Sequence, residues 1–313
     1  MKKDTIIIGT RSSKLALWQA EYVKSRLEEE YPELTVKLKL MTTKGDKILD
    51  APLAKIGGKG LFTKELETDM LEGGIDLAVH SLKDMPTEAP EGLVISAITK
   101  RFDSGDAVVS PKYKKFSELP QGAKVGTSSL RRKAQLLHVR PDLNICDLRG
   151  NVNTRLRKLE EENFDAIILA VAGLKRLGFG ERITDVLPKR MVLPAVGQGA
   201  LAIETREADE DVRALISFLN DEETVQCATV ERSFLARVEG GCQVPVGVYA
   251  TSAGEGMIQA EAVIASVDGS KLYRDKLTGP AENCEKIGRE LADKLLAMGG
   301  LQIMQEIGLL MDR

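Results

Sequence analysis

Thr5-Ile-Ile-Ile-Gly-Thr-Arg-Ser-Ser13 and Lys124-Val-Gly-Thr-Ser-Ser129 follow one plan: a short strand-forming run, a glycine, then hydroxyl residues that open a helical pattern. Hydroxyls at a helix start cap free N–H groups, and that alone accounts for either copy. The same helix ends attract anions, because unpaired N–H groups and the positive end of the helix dipole converge there. Two copies, one per lobe, point to an anion-binding cleft. Outward from them, short apolar runs alternate with helical periodicity. Strands are expected at Thr5–Ile8, Val36–Met41, Ile75–His80, Leu93–Ile98, Ala107–Val109, Lys124–Gly126, Leu143–Asp147 and Asp165–Val171. Helices are expected at Lys14–Tyr31, Leu61–Leu71, Leu130–Arg140 and Val152–Glu161. Such alternation predicts an α/β fold with mainly parallel sheets.

Ala200–Glu204 reads as a late strand that returns to the first lobe, Thr99–Asp106 as a polar crossover, and Leu193-Pro-Ala-Val-Gly-Gln-Gly199 as a hinge or loop. Beyond Asn220 the texture changes to one long helix (Glu222–Val238), three short strands and a closing helix (Ala281–Met298), an α+β order. Residues 1–99 with 200–219 are therefore expected to form one lobe, 100–199 a second, and 220–313 a C-terminal domain.

The 313 residues carry a net charge of −3 and are 43% hydrophobic and 29% charged, the balance of a globular enzyme. The basic excess of a nucleic-acid binder is missing. The longest apolar run, Ala166–Leu174, falls far short of the ~20 residues that span a bilayer. The first residues lack the apolar stretch of a secretory leader, so a cytoplasmic location is expected. No repeat or heptad calls for assembly, and a monomer is expected. Cys146, Cys227, Cys242 and Cys284 are scattered, no CxxC occurs, and only His80 and His138 could join them, so neither a metal site nor a disulfide framework is expected. Gly57-Gly-Lys-Gly60 lacks the spacing of a nucleotide-phosphate loop.

Arg11, Arg131, Arg132, Arg149 and Arg155 all stand at strand-to-helix junctions. Any one of them alone would be read as a solvated surface charge. Arg131 and Arg132 nevertheless occupy a first helical turn, where positive charge costs up to ~1 kcal/mol each. As a set the arginines suit a ligand rich in carboxylates or phosphates, which guanidinium forks match. His80-Ser-Leu-Lys-Asp-Met-Pro86 follows an apolar strand, at the sheet edge where α/β folds place ligands. It offers Lys83 and Asp84 side by side, although a turn capped by Asp84 accounts for it equally well. His80 is expected to pack at the strand end, and Trp18 and Phe62 to be core or cleft-wall aromatics, with the core as the first reading. Glu239-Gly-Gly-Cys-Gln-Val-Pro245 has no periodic apolar face, so Cys242 is a candidate nucleophile or attachment point, whereas the other cysteines read as packing residues.

Leu53–Phe62, Ala78–Pro86, Gly126–Arg132, Leu148–Val152 and Glu239–Pro245 together resemble the porphobilinogen deaminase (hydroxymethylbilane synthase) family. The resemblance runs in order from Ile8 to about Tyr249. It implies two periplasmic-binding-protein-like lobes plus a third domain bearing the cysteine. It also implies a dipyrromethane cofactor on a thioether at Cys242, and head-to-tail addition of four porphobilinogens with loss of ammonia before hydrolysis. Each porphobilinogen carries an acetate and a propionate, so the growing chain accumulates carboxylates for the arginines to hold. By the same resemblance Asp84 binds pyrrole N–H groups and handles protons. Lys83, Ser128, Ser129, Arg131 and Arg132 join it and Cys242 around the cofactor. Arg11, Ser13, Ser81, Arg149, Arg155 and Gln198 contact substrate together with Lys55, Lys59 and Phe62, of which Lys55–Phe62 is expected to be a lid. Two other readings remain: a non-catalytic binder of small carboxylate anions, which predicts no covalent adduct, and an ordinary cysteine-nucleophile transferase, which needs a base near Cys242.

Overall fold

The structure, a computed structural model, describes residues 3–43, 63–238 and 244–308. Cys242, Lys55, Lys59, Phe62 and the expected lid lie outside the described residues. The chain divides into two compact units, Met1–Phe102 with Ala200–Val225, and Asp103–Gly199 with Gln226–Arg313.

In the first unit, strands β1 (Thr5–Arg11), β2 (Thr35–Met41), β3 (Leu77–Ser81), β4 (Leu93–Ile98) and β10 (Leu201–Arg206) form one sheet in the order β2-β1-β3-β10-β4. β1 pairs in parallel with β2 and β3, while β10 runs antiparallel to both β3 and β4. Four of the five strands thus point the same way. Side chains alternate across the pleat. Ile6 and Ile8 join a core with Ala20, Val23 and Leu27 of helix α1 (Lys14–Glu30), and Ile7 faces the opposite cluster of Leu66, Met70 and Ile75. Leu66 and Met70 belong to α2 (Lys64–Leu71). Helix α6 (Glu210–Ile216), absent from the sequence expectations, adds Val212 and Ile216 to the first core. Trp18 is not a core residue: it is 37% exposed and stacks on Tyr22 at 5.6 Å. Ala20, Val23 and Leu27 already fill the buried stripe of α1 at helical spacing.

The second unit holds two sheets. Strands β5 (Asp106–Val109), β6 (Lys124–Gly126), β7 (Asn144–Cys146), β8 (Ala166–Ala170) and β9 (Asp185–Leu187) assemble in the order β7-β6-β8-β5-β9. β6 is parallel to β7 and β8, while β5 is antiparallel to β8 and β9. That is the first sheet's arrangement again, with β5 in the place of β10. Helices α3 (Leu130–Val139), α4 (Val152–Glu161) and α5 (Val171–Arg176) cover it. The third sheet is antiparallel: β11 (Val246–Gly254), β12 (Met257–Ala265) and β13 (Leu272–Pro280). Residues of α7 (Glu222–Arg237) and α8 (Cys284–Leu295) pack on it. The expected closing helix, Ala281–Met298, is matched by a 3₁₀ turn, α8 and the π-helical turn that continues it, and Gly299, at φ +128°, then kinks the chain before α9 (Leu301–Glu306).

Leu193–Gly199, read as a hinge or loop, is irregular yet largely buried. Its polar groups are met from all sides. Leu193 N–H donates to Gln135 Oε1 (2.8 Å), the Leu193 carbonyl accepts from Arg131 (2.6 Å) and Gln135 (3.1 Å), and Gly197 N–H donates to Glu231 (2.7 Å). Gly197 and Gly199 supply the left-handed turns at φ +70° and +96°.

Two expectations follow. Glu231 is fully buried and also accepts from Ala250 N–H (2.9 Å). Glu231→Ala strands two buried donors and should lower stability by about 2–4 kcal/mol in urea unfolding; a loss below about 1 kcal/mol would mean that the carboxylate does not brace the segment. A Cβ on Gly288 of α8 would meet the Val230 carbonyl of α7. Gly288→Ala should therefore cost about 1–3 kcal/mol by forcing the helices apart, and an unchanged thermal midpoint would contradict this packing.

Candidate active site

Parallel strands deliver their carboxyl ends to one edge of a sheet, where open α/β folds bind ligands. In the first unit that edge carries Arg11 at the end of β1 and Ser81 at the end of β3. Ser13 caps α1 by accepting from Ala16 N–H at 3.3 Å, the capping role its position suggested. After Ser81 the chain makes a single 3₁₀ turn, Leu82–Asp84. Leu82 and Met85 are buried, and Leu82 N–H donates to the Ala200 carbonyl (3.0 Å). Lys83 is half-buried and Asp84 exposed. Among the described residues the Asp84 carboxylate caps no backbone group, so the turn is anchored by its apolar neighbours and not by Asp84.

Sequence reasoning missed Gln19, which is buried and donates through Nε2 to Ser81 Oγ (2.8 Å), tying α1 to the end of β3. It gave His80 a place at the strand end but no partner. The buried His80 Nε2 lies 3.0 Å from Glu204 of β10, whose side chain is fully enclosed. Glu67 belongs to the same electrostatic neighbourhood: burial raises its pKa, and Glu204 adds to the rise.

In the second unit, Ser129 caps α3 by accepting from Arg132 N–H (3.4 Å). Ser128 Oγ donates to the Leu148 carbonyl and accepts from Leu148 N–H, both at 3.0 Å, and so fixes the loop that carries Arg149. Arg131 and Arg132 are 4% and 5% exposed, and both bind Asp106, itself 2% exposed. Arg131 Nη1 reaches Asp106 Oδ2 at 2.6 Å, and Arg132 Nη2 reaches Oδ1 at 2.7 Å. Burial alone would push the Asp106 carboxyl up, but the two guanidinium charges and their hydrogen bonds hold it well below the usual carboxylate range. The positive charge that the sequence left for a ligand is thus partly met inside the protein. Asp106 had been assigned to a crossover. The signal that could have found it is an acid opening a strand that the paired arginines must face.

Arg149 is half-buried, and its Nη1 is buried without a hydrogen-bond partner among the described residues. Arg155 Nε donates to the Gly150 carbonyl at 2.7 Å. Gln198 is 1% exposed; its Nε2 reaches the Ser104 and Gly105 carbonyls and Asp106, while its Oε1 is enclosed and unpaired. An unpaired guanidinium nitrogen and an unpaired acceptor fit a ligand bearing both carboxylates and N–H groups, as a dipyrromethane does. Cys227 and Cys284 are buried, as packing cysteines should be, and Cys146 is only partly so. Among the described residues no helix is long and apolar enough to cross a membrane.

Residues 6–214 match the model described as "Porphobilinogen deaminase, dipyromethane cofactor binding domain", and residues 225–297 match that of the porphobilinogen deaminase C-terminal domain. The porphobilinogen deaminase of Pelobacter propionicus is 55% identical over 300 residues, 96% of each chain. That of Geotalea uraniireducens is 53% identical over 307 residues, 98% of this chain and 96% of its own. Among solved structures, the methionine binding protein MetQ has a TM-score of 0.46 at 17% identity, covering 73% of this chain and 95% of its own. The aliphatic sulphonate binding protein SsuA of Escherichia coli has a TM-score of 0.40 at 15% identity, covering 75% of this chain and 70% of its own. Two family models in register and relatives more than half identical along nearly the whole length leave one assignment: the chain belongs to the porphobilinogen deaminase family, whose dipyrromethane-cofactor-binding domain it carries.

Proposed function

We propose that the chain is the hydroxymethylbilane synthase of tetrapyrrole synthesis. It joins four porphobilinogens head to tail, each with loss of ammonia, on a dipyrromethane held by a thioether at Cys242, and hydrolysis then releases the linear tetrapyrrole. The observation that carries this reading is the Leu82–Asp84 turn. Buried Leu82 and Met85 anchor it, and the exposed Asp84 carboxylate has no structural duty among the described residues. Loss of ammonia from porphobilinogen leaves a cationic azafulvene. A preorganised carboxylate stabilises that charge, accepts pyrrole N–H groups and takes up or returns the proton of each condensation. When bound, the dipyrromethane supplies the primer and is not consumed.

Within the first unit, Lys83 supports Asp84, Arg11 and Ser13 hold substrate carboxylates, and Ser81 is oriented for the same task by Gln19. Within the second, Arg149 Nη1 offers a carboxylate the partner it lacks, with Arg155 alongside. Ser128, Ser129, Arg131 and Arg132 hold the primer's carboxylates, and Gln198 Oε1 accepts an N–H. Lys55, Lys59, Phe62 and Cys242 keep the roles the family resemblance implies. We read the chain as three domains, 1–99 with 200–219, 100–199 and 220–313; two sheets of one topology and a separate antiparallel sheet support this. We also read it as a cytoplasmic monomer with neither nucleic-acid nor membrane partner.

Intact mass tests the proposal directly. The purified chain should exceed its sequence mass by two porphobilinogens less two ammonias, and Cys242→Ser should lose the excess. A wild-type chain that stays unmodified after incubation with porphobilinogen would overturn the covalent reading. Asp84→Ala should keep the adduct and the fold but lower turnover by about 100-fold or more; near-normal turnover would remove Asp84 from the chemistry.

A further inference from the structure

Asp106 opens β5 and gathers five contacts on one carboxylate. Oδ2 takes Arg131 Nη1 (2.6 Å), and Oδ1 takes Arg131 Nη2 (3.3 Å), Arg132 Nε (3.0 Å), Arg132 Nη2 (2.7 Å) and Gln198 Nε2 (3.1 Å). Backbone carbonyls complete the cage: Leu193 on Arg131 at 2.6 Å and Ile168 on Arg132 at 3.0 Å. Two guanidiniums this deeply enclosed cannot stand without a counter-ion, since an uncompensated buried charge costs several kcal/mol. One carboxylate against two guanidiniums leaves a single net positive charge. A guanidinium has five N–H donors, so each arginine retains donors that these contacts do not use. The same oxygen that holds the arginines also holds the Gln198 amide nitrogen. This turns Gln198 Oε1 away, enclosed and unpaired.

We propose that Asp106 is a positioning residue, an internal counter-ion that keeps the Arg131–Arg132–Gln198 constellation built and oriented before an anionic ligand arrives. It aims two kinds of group at once: cationic donors for a carboxylate, and an acceptor for an N–H. Asp106 itself touches no ligand. Its negative charge lets the chain fold with the arginines in place, and its two-to-one imbalance keeps an attraction for one further carboxylate. The proposal rests on the reading that these arginines meet carboxylates.

The test compares thermal midpoints with and without malonate, a simple dicarboxylate, at matched ionic strength. It uses Cys242→Ser and Cys242→Ser/Asp106→Asn, so that no covalent adduct intervenes. Removing the internal anion leaves two unmatched cations. Malonate should then raise the midpoint of the Asn variant by about 3 °C or more beyond its effect on the Asp106 chain, because preferential binding to the folded state stabilises it. Equal increments would reduce Asp106 to a structural residue and overturn the proposal. Should Asp106→Asn yield no folded protein, Asp106→Asn/Arg132→Gln, which removes one cation along with the anion, must fold; its failure would equally overturn the proposal. In the Cys242 chain, Asp106→Asn should carry the adduct on a several-fold smaller fraction of molecules than wild type. If wild type itself carries none, the covalent reading fails, while the malonate comparison still decides the role of Asp106.

Discussion

Parallel pairing is the constraint on which everything else in the two larger sheets depends. A strand that pairs in parallel with its neighbour cannot be reached by a hairpin, so the chain must cross back through a helix. Every such crossing leaves the sheet at the same edge. β1 and β3 both end there in the first unit, and β6 and β7 do so in the second. Arg11, Ser81 and Asp84 share an edge because their strands share a direction, and Ser128, Arg131 and Arg149 share one for the same reason. A reordered sheet would scatter the residues without changing any one of them.

Polar satisfaction supplies the second layer. The second unit encloses charge and irregular backbone together, which is costly unless every group is met. Gln135, Arg131 and Glu231 meet the Leu193–Gly199 segment, and Asp106 meets the arginines. The atoms left over, on Arg149 and Gln198, are those the proposed chemistry needs. In the second unit these enclosed unpaired atoms fall on two residues that the family resemblance had named, Arg149 and Gln198.

Much of this was legible in the sequence, because alternation of β-branched runs with helical periodicity depends on local residue type. The strands β1, β5, β6 and β8 and the helices α3 and α4 fall where those patterns lie. The short edge strand β9 was not legible: Asp185–Leu187 is too brief for a period and carries an exposed Val186. Leu193–Gly199 is irregular as read, but its burial was not legible, because prolines and glycines mark loops at any depth and nothing in them reports the partners that cover the backbone. Trp18 misled because a large apolar side chain can lie on the flank of a helical stripe. At the site, residue types were readable from motif while partnerships were not. Asp106 meets Arg131 and Arg132 only after the sheet has brought β5 beside β8, and no spacing rule connects 106 with 131.

The interleaving of strands also governs how the chain comes together in time. β10 lies between β3 and β4, yet more than a hundred residues separate β4 from it in the chain. Until that segment emerges, β3 and β4 have no shared neighbour, and each presents an unpaired edge. At ~5–20 residues per second of synthesis, the first sheet waits many seconds for its penultimate strand. The second sheet needs no such wait, since β5 through β9 emerge in one continuous stretch. The sheet begun first is therefore completed only after the second one, and its open edge is the point at which a nascent chain would need protection from aggregation.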